Sequence, residues 1–134
     1  MLSHSLYNQL SNTKELNNIF SRRINNFLSL KSIFQKMNIS FVFHQISSKS
    51  APQTMPIIDN SGHLTSFLND KGIGAYNWPG DDLDHYVTQN GSLFPNTVRL
   101  NRTIVCIPLH QGIQQKHLKI IERNITKFRG VHDK

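Results

Sequence analysis

A run of apolar residues, Ile104 to Ile107, lies near the C-terminus of the chain and ends at Pro108. Such a run predicts a buried strand, and proline ends it because proline has no N–H to donate to a β-ladder. A stripe at helical spacing follows, at Leu118, Ile121, Ile125 and Phe128. A strand followed closely by an amphipathic helix indicates a sheet with a helix laid across it.

A second helical stripe occupies the first third of the chain. Its apolar residues recur with a period near 3.6, at Leu16, Phe20, Ile24, Phe27, Phe34 and Met37. Asn12 is placed as an N-cap, and Glu15 three residues later gives a variant of the capping box. We therefore expect a long amphipathic helix of about 25 residues.

Three short segments have the composition of strands. Ser40 to Ile46 is rich in Phe, Val and Ile, and Met55 to Ile58 is a second apolar run. Ala75 to Tyr76 is a third candidate, which leads into a turn at Asn77-Trp78-Pro79-Gly80. Gly91 to Asn96 is predicted to be loop.

A compact helix is predicted between the second and third of these segments, from Gly62 to Lys71, with the Asn60-Ser61 pair as its cap. Gly72 stands where a left-handed residue is needed after the helix. Ile73 can then contact Leu68, which is the apolar closure of a Schellman ending.

These elements predict the α+β class: a small antiparallel sheet with a long N-terminal helix, a middle helix and a C-terminal helix on one face. The chain of 134 residues fits a single domain. Within it, residues 1–11 are expected to fray and residues 12–130 to form the folded unit.

The net charge of +7 favours anionic partners through long-range attraction. The densest basic group is Lys116, Lys119, Arg123, Lys127 and Arg129. We interpret it as the solvated face of the last helix, because it lies opposite the apolar stripe and no aromatic residues of the kind that stack on bases are interleaved with it. Nucleic-acid binding is therefore disfavoured.

One cysteine, Cys106, cannot form an internal disulfide, and its position within an apolar run is typical of an inert, buried thiol. The chain has no apolar stretch long enough for a membrane span, and residues 1–10 lack the pattern of a signal peptide. We expect a cytoplasmic protein that does not bind a membrane. Asp81, Asp82 and Asp84 could serve acid–base or Mg²⁺ chemistry, although a turn cap in a solvated acidic loop is the preferred interpretation.

Seven histidines raise the possibility of a metal site. His110 and His117 flank a predicted helix start, and His44 and His63 lie in different elements. Since none of the spacings typical of zinc sites occurs, we assign no metal ligands.

Several of these segments match one known family in order and spacing. They are Arg22-Arg23 in the first helix, Met55-Pro56-Ile57-Ile58, Gly72-Ile73, Asn77-Trp78-Pro79, Pro95, Ile107-Pro108-Leu109-His110 and Gln114 to Phe128. Together they resemble the C-terminal small domain of DegT/StrS-type aminotransferases, a fold type I family that uses pyridoxal phosphate to aminate keto-sugars. Each motif alone is unspecific, so the resemblance rests on their order.

The resemblance implies that the catalytic large domain is absent, and with it the lysine that binds the cofactor. Lys49 follows Phe43-His44 and Ser47-Ser48, faintly like the family's approach to that lysine. No glycine-rich segment comes after Lys49, so we interpret it as a loop residue. We assign no catalytic or cofactor-binding residue.

In the resembled enzymes the Asn77-Trp78-Pro79 turn faces the active site, so Asn77 and Trp78 are the substrate-side candidates. The family often has histidine where this chain has Asn77, and Val98 or Arg99 replaces a common glutamate. Arg22 and Arg23 point about 100° apart on a helix, so one is expected to bind a carboxylate on a partner and the other to be solvated.

The leading hypothesis is a fragment or split small domain of a keto-sugar aminotransferase, inactive alone, whose partner is a large-domain chain. The alternative is an interaction module that forms homo-oligomers through the apolar face of the first helix. A basic nucleic-acid-binding domain is the third possibility.

Overall fold

A computed structural model describes residues 13–47, 50–80 and 83–132. The predictions for residues 1–11, the Asn12 cap, Lys49, Asp81 and Asp82 fall outside these ranges. The helices are α1 (Thr13–Lys36), α2 (Leu64–Asp70), α3 (His85–Gln89), α4 (Pro95–Thr103) and α5 (Gln115–His132), with a short 3₁₀ helix at Gly91–Leu93. The strands are β1 (Thr54–Ile58), β2 (Tyr76–Asn77) and β3 (Ile104–Pro108).

The strand β3 lies in the centre of a three-stranded antiparallel sheet of order β1-β3-β2. On one side Met55 pairs with Ile107, and on the other Tyr76 pairs with Cys106. All residues of β3 except its final proline are buried, as expected for a central strand that reads as a continuous apolar run. The predicted α+β class with an antiparallel sheet is confirmed.

The two faces of the sheet have different surroundings, because side chains alternate along each strand. Met55, Ile57, Val105 and Ile107 belong to the main hydrophobic core. Their neighbours Pro56, Ile104 and Cys106 are not part of that core and line a groove on the opposite face.

Three helices cover the inner face, as predicted. α1 contributes Phe27, Leu30 and Phe34, α2 contributes Leu64 and Leu68, and α5 contributes Leu118, Ile121, Ile125 and Phe128, all of them buried. The ring of Phe67 in α2 lies 5.2 Å from the ring of Phe128, centroid to centroid. The predicted stripe of α5 is therefore buried in full, whereas Phe20 of the α1 stripe remains 42% exposed.

The predicted strand from Ser40 to Ile46 is wrong: only Phe41 forms a bridge, to Ile57. The N–H of Val42 donates to the carbonyl of Pro56, at 3.2 Å. The reciprocal bond of an antiparallel pair cannot form, because Pro56 has no N–H. On the other side of the bridge the N–H of Ile58 donates to the carbonyl of Ser40 at 3.0 Å, so Pro56 explains the end of the pairing only in the direction of Ile46.

The middle helix begins two residues later than predicted. Gly62 has a φ of +72°, which is left-handed and incompatible with a right-handed helix. The carboxylate of Asp59, rather than Asn60 or Ser61, accepts from the N–H of Leu64 at 3.0 Å. Asp59 therefore satisfies a backbone donor at the start of α2.

The predicted Schellman ending of this helix is confirmed. Gly72 has a φ of +73°. Its N–H donates to the carbonyl of Asn69, and the N–H of Ile73 donates to that of Leu68. Ile73 is buried with Leu68 in the core, which supplies the apolar contact typical of the motif.

Much of the stretch between β2 and β3 is helical, whereas the sequence analysis predicted no helix there. Asp84 caps α3 by accepting from the N–H of Tyr86 at 2.8 Å, in line with the turn-cap interpretation of this acidic segment. The predicted loop from Gly91 to Asn96 instead holds the 3₁₀ helix and the start of α4. Pro95 stands at the first position of α4, where its fixed φ is suited to a helix and its missing N–H costs nothing.

The basic group of α5 behaves largely as expected. Lys116, Lys119, Arg123 and Lys127 are exposed, whereas Arg129 is partly buried and donates to the carbonyl of Met37 at the end of α1. None of the described helices is both long and apolar enough to cross a lipid bilayer.

The central strand is expected to dominate stability. Ile107→Ala removes a fully buried side chain, so the free energy of unfolding should fall by about 2 to 5 kcal/mol. Ile120→Ala, at a position 38% exposed on α5, should change it by only about 0.5 kcal/mol. Urea unfolding of both variants measures the difference, and equal losses would contradict the central placement of β3.

Candidate functional site

The turn predicted to face a substrate lies at the end of β2, against the central strand. Tyr76 and Asn77 pair with Cys106 and Val105. The N–H of Trp78 donates to the carbonyl of Ile104 at 3.0 Å, which extends the attachment by one residue. The peptide bond between Trp78 and Pro79 is cis. The strand pairing and the hydrogen bond of Trp78 attach the backbone of the turn to the sheet.

Two asparagines fasten the turn to the end of α4. The side-chain amide of Asn77 donates to the carbonyls of Asn101 at 2.8 Å and Arg102 at 3.4 Å. In return, the amide of Asn101 donates to the carbonyls of Trp78 at 3.1 Å and Gly80 at 2.9 Å. We call this arrangement the asparagine clasp. The NH₂ group of Asn77 is thus engaged in holding the turn.

An apolar groove of about 330 Å³ opens on the outer face of the sheet. Pro56, Ile104 and Cys106 belong to the strands that line it, while Phe43 and Trp78 lie at the exposed surface. Phe43 is 58% and Trp78 53% exposed, so both large aromatic side chains that line this groove leave more than half of their surface uncovered. We call this surface the sheet groove.

Cys106 lies in the sheet groove but is itself only 2% exposed. Burial raises the pKa of its thiol, because a thiolate would lose hydration there, and side-chain hydrogen bonds with Thr54 and Tyr76 oppose this in part. At neutral pH the group is a protonated thiol, which is a poor nucleophile. This agrees with the inert, buried cysteine predicted from the sequence.

On the other side of the turn lies a polar cleft between the Asn60–Gly62 loop and α4. Its larger part, of about 500 Å³, is lined by Arg99 and Arg102. An adjoining part of about 410 Å³ is lined by Asn77 and again by Arg102. We call the two parts together the arginine cleft. Asn77 therefore lines the arginine cleft, whereas the neighbouring Trp78 lines the sheet groove.

Of the histidine candidates from the sequence, His63 lines the adjoining part of the arginine cleft together with Asn77, whereas His110 and His117 lie away from it. The Nδ1 atom of His110 accepts from the N–H of Gly112, and that of His117 from the N–H of Gln114. Within residues 13–47, 50–80 and 83–132, no group of histidine, cysteine and acidic side chains could hold a metal ion.

Of the paired arginines in α1, Arg23 donates to the side-chain oxygen of Gln111, at 3.1 and 2.9 Å. It therefore ties α1 to the loop before α5. Arg22 is exposed, as one member of the pair was expected to be.

Sequence reasoning named Arg99 only as a possible replacement of the family's glutamate, and it missed Asn101 and Arg102 because it did not predict α4. The available signal was Pro95, which favours the first turn of a helix. With α4 in place, Arg99 and Arg102 are three residues apart and share one helix face.

Comparisons with known proteins show that this chain is similar to other proteins in its structure. No family model and no curated protein matches the sequence. The structure is similar to PseC of Helicobacter pylori, an aminotransferase involved in the biosynthesis of pseudoaminic acid, with a TM-score of 0.67 and 18% identity. That match covers 88% of this chain and 34% of PseC.

A second similar structure is a Streptococcus pneumoniae protein assigned as a sugar aminotransferase, in its PMP form. Here the TM-score is 0.64 and the identity 14%, over 81% of this chain and 30% of the other. The chain spans about a third of the length of both proteins. The predicted resemblance in fold to a DegT/StrS-like, aminotransferase-type small domain is confirmed.

The asparagine clasp makes a direct prediction for the turn. Asn101→Ala removes two side-chain hydrogen bonds and should lower the free energy of unfolding by about 1 to 3 kcal/mol. Trp78 is the only tryptophan, so its fluorescence anisotropy should fall as the turn loosens. Asn96→Ala, at an exposed position of the same helix, is the matched control and should leave both quantities unchanged. Equal behaviour of the two variants would show that the clasp is not needed.

The single cysteine allows a test of its environment. Iodoacetamide should modify Cys106 much more slowly in the folded chain than in the urea-unfolded chain, because burial both shields the thiol and raises its pKa above the ordinary 9.0. Because folding raises the pKa of the Cys106 thiol, its protonated form stabilises the folded chain fully below pH 9.0. This contribution to the free energy of unfolding is lost as the pH rises through the pKa of the thiol in the folded chain. Mass spectrometry of the alkylated chain follows the reaction, and equal rates would contradict the burial of this thiol.

Proposed function

We propose that the chain is the small domain of an aminotransferase that acts on keto-sugars, and that it works with a large domain carrying pyridoxal phosphate. The main support is the structural likeness: most of this chain superimposes on about a third of PseC and of a second sugar aminotransferase. At 18% and 14% identity that likeness is one of fold, so the activity and the substrate are the proposal.

The described residues do not fit a covalent cofactor site. Pyridoxal phosphate requires a lysine beside it, together with groups that hold its phosphate and ring nitrogen. No lysine is among the described residues that line the sheet groove or the arginine cleft. Lys71 lies elsewhere, with its Nζ 5.6 Å from the centroid of the Phe67 ring. We therefore assign cofactor binding to the large domain and inactivity to this domain alone.

The exposed apolar side chains of the sheet groove favour the proposal that a large domain covers the outer face of the sheet. Phe43 and Trp78 expose more than half of their surface there, next to strands whose inner face is fully covered by helices. A large aromatic that loses water on contact commonly dominates an interface. The two similar proteins have about two thirds of their length beyond the part matched here, which supplies an occupant of the right kind.

The turn would then lie at the border between the two domains. The asparagine clasp holds the backbone of the turn, so that Trp78 is presented to the large domain on a rigid support. In this proposal Trp78 and Asn77 stay the substrate-side residues, with Asn77 acting mainly through the clasp. The complete enzyme would transfer an amino group from glutamate to a nucleotide-linked keto-sugar in the cytoplasm, and the large domain would hold the pyridoxal phosphate that this chemistry needs.

Borohydride reduction tests the proposal in the cell that encodes the chain. The chromosomal gene is tagged, and borohydride treatment of the cells fixes pyridoxal phosphate covalently to the lysine that binds it. The tagged protein is then purified, and mass spectrometry searches the purified material for pyridoxyl-lysine. We expect that modification either in the tagged polypeptide or in one protein that co-purifies with it. The absence of pyridoxyl-lysine from both proteins would contradict the proposal. It would also be contradicted if the purified 134-residue chain alone developed cofactor absorbance with pyridoxal phosphate and the Lys49→Ala variant did not.

Matched double variants identify the surface when the large domain is a separate chain. Phe43→Ala with Trp78→Ala should weaken the association by at least about thirtyfold, because such anchors are worth about 2 kcal/mol or more. Phe20→Ala with Leu28→Ala removes exposed apolar groups from α1 and should leave it unchanged. If only the Phe20→Ala and Leu28→Ala double variant weakened the association, and sedimentation showed a homo-oligomer, the proposal would be replaced by self-association through α1.

A further inference from the structure

A pocket of about 330 Å³ lies at the opposite end of β3 from the turn, between the segment that follows α2 and the start of α5. Its polar lining residues are Lys71, His110 and His117, and we call it the histidine pocket. None of its described lining residues lines the sheet groove or the arginine cleft. It is therefore a separate site from the two surfaces described above.

The inner part of the histidine pocket is apolar. Ile73, Ile113 and Ile121 line it, and all three are buried members of the hydrophobic core. The pocket thus opens from a polar rim onto apolar side chains, which is the arrangement typical of small-molecule sites.

The loop that carries His110 is held in a defined position. The side-chain amide of Asn26 in α1 donates to the carbonyl of His110 at 3.2 Å and to that of Ile113 at 3.3 Å. A Cβ atom added at Gly112 would lie only 3.1 Å from Nδ1 of His110. The imidazole can approach the loop this closely because position 112 is glycine.

Hydrogen bonds to the backbone determine which ring nitrogen of each histidine carries the hydrogen. Nδ1 of His110 accepts from the N–H of Gly112 at 3.2 Å, and Nδ1 of His117 accepts from the N–H of Gln114 at 3.1 Å. An accepting nitrogen has no hydrogen, so each ring holds its hydrogen on Nε2. Within residues 13–47, 50–80 and 83–132, no hydrogen bond uses either Nε2 atom. Both Nε2–H groups are therefore available to a ligand.

This arrangement favours an anion over a metal ion. A metal ion needs a lone pair from its ligand, whereas both Nε2 atoms present a hydrogen. Lys71 adds a positive charge, and no acidic side chain is among the described residues that line the pocket. The Nζ atom of this exposed lysine lies 5.6 Å from the centroid of the Phe67 ring, a weak contact that an anion can replace.

We infer that the histidine pocket binds a small carboxylic acid with an apolar body. A carboxylate has one negative charge and accepts at two oxygens, which matches one ammonium group and two neutral N–H donors. The buried isoleucines suit an aliphatic body. A volume of about 330 Å³ is at the lower end of the range for small-molecule sites, so the ligand is a free acid of few atoms.

NMR titration of the purified chain with 4-methylpentanoate tests the pocket. We expect saturable shifts of the methyl signals of Ile113 and Ile121, which line it. The amide 4-methylpentanamide has the same body without the charge and should not bind measurably. Acetate has the charge without the body and should bind at least about tenfold more weakly, because it covers little apolar surface. No binding of 4-methylpentanoate, or equal binding of its amide, would overturn the inference.

Asparagine variants separate the ligand role of the histidines from their role at the backbone. In His110→Asn and His117→Asn the side-chain oxygen can still accept the backbone N–H, but the Nε2 donor is gone. Each variant should weaken binding of 4-methylpentanoate about tenfold or more, as should Lys71→Gln, with unfolding curves in urea like that of the parent. His85→Asn and Lys119→Gln, at exposed positions outside the pocket, are the matched controls and should bind as the parent does. Unchanged binding in both His110→Asn and His117→Asn would contradict the assignment.

Two further measurements test the chemistry of the ligand. Long-range ¹H–¹⁵N spectra of the histidine rings should show the Nε2–H tautomer for His110 and His117 in the free chain, and the other tautomer at both would overturn the inference. Tighter binding of inorganic phosphate than of 4-methylpentanoate would overturn the assignment to a carboxylic acid. Because the pocket shares no lining residue with the sheet groove, these results are independent of the large-domain proposal.

Discussion

The pairing of β3 with strands on both sides is the constraint on which the rest of the structure depends. Because the strand is central, its backbone groups are satisfied by neighbours and its side chains fall on two different faces. Val105 and Ile107 complete the core beneath α1, α2 and α5. Ile104 and Cys106 instead form the floor of the sheet groove, so one five-residue strand supplies both the core and the surface proposed to meet a large domain.

The turn at the end of β2 also separates two different surfaces at the candidate site. Trp78 follows Asn77 directly, and the two residues line opposite sides of the turn: an apolar surface on one side and a basic cleft on the other. The asparagine clasp holds both in place through α4. The turn thus places Trp78 at the apolar groove and Asn77 at the basic cleft.

The long periodic elements could be predicted from the sequence because local pattern and tertiary packing agree there. The α5 stripe and the Schellman ending at Gly72 are examples. The strand predicted at Ser40 to Ile46 failed because Pro56, on the neighbouring strand, removes a hydrogen bond that pattern alone cannot reveal. Asn77 and Trp78 could be selected through the family resemblance. Arg99 and Arg102 could not, since their meeting with the Asn60–Gly62 loop depends on a helix and on contacts distant in sequence.

The central claim is that a cofactor-bearing domain covers the outer face of the sheet. Photo-crosslinking at position 78 tests this claim most directly. With p-benzoylphenylalanine in place of Trp78, irradiation in the native cell should link this position to a segment of the protein that carries pyridoxyl-lysine after borohydride reduction. The same probe at Ile120, exposed on α5 behind the covered face, should give no such link. A link from position 78 to a second copy of this chain, or to no protein at all, would contradict the account.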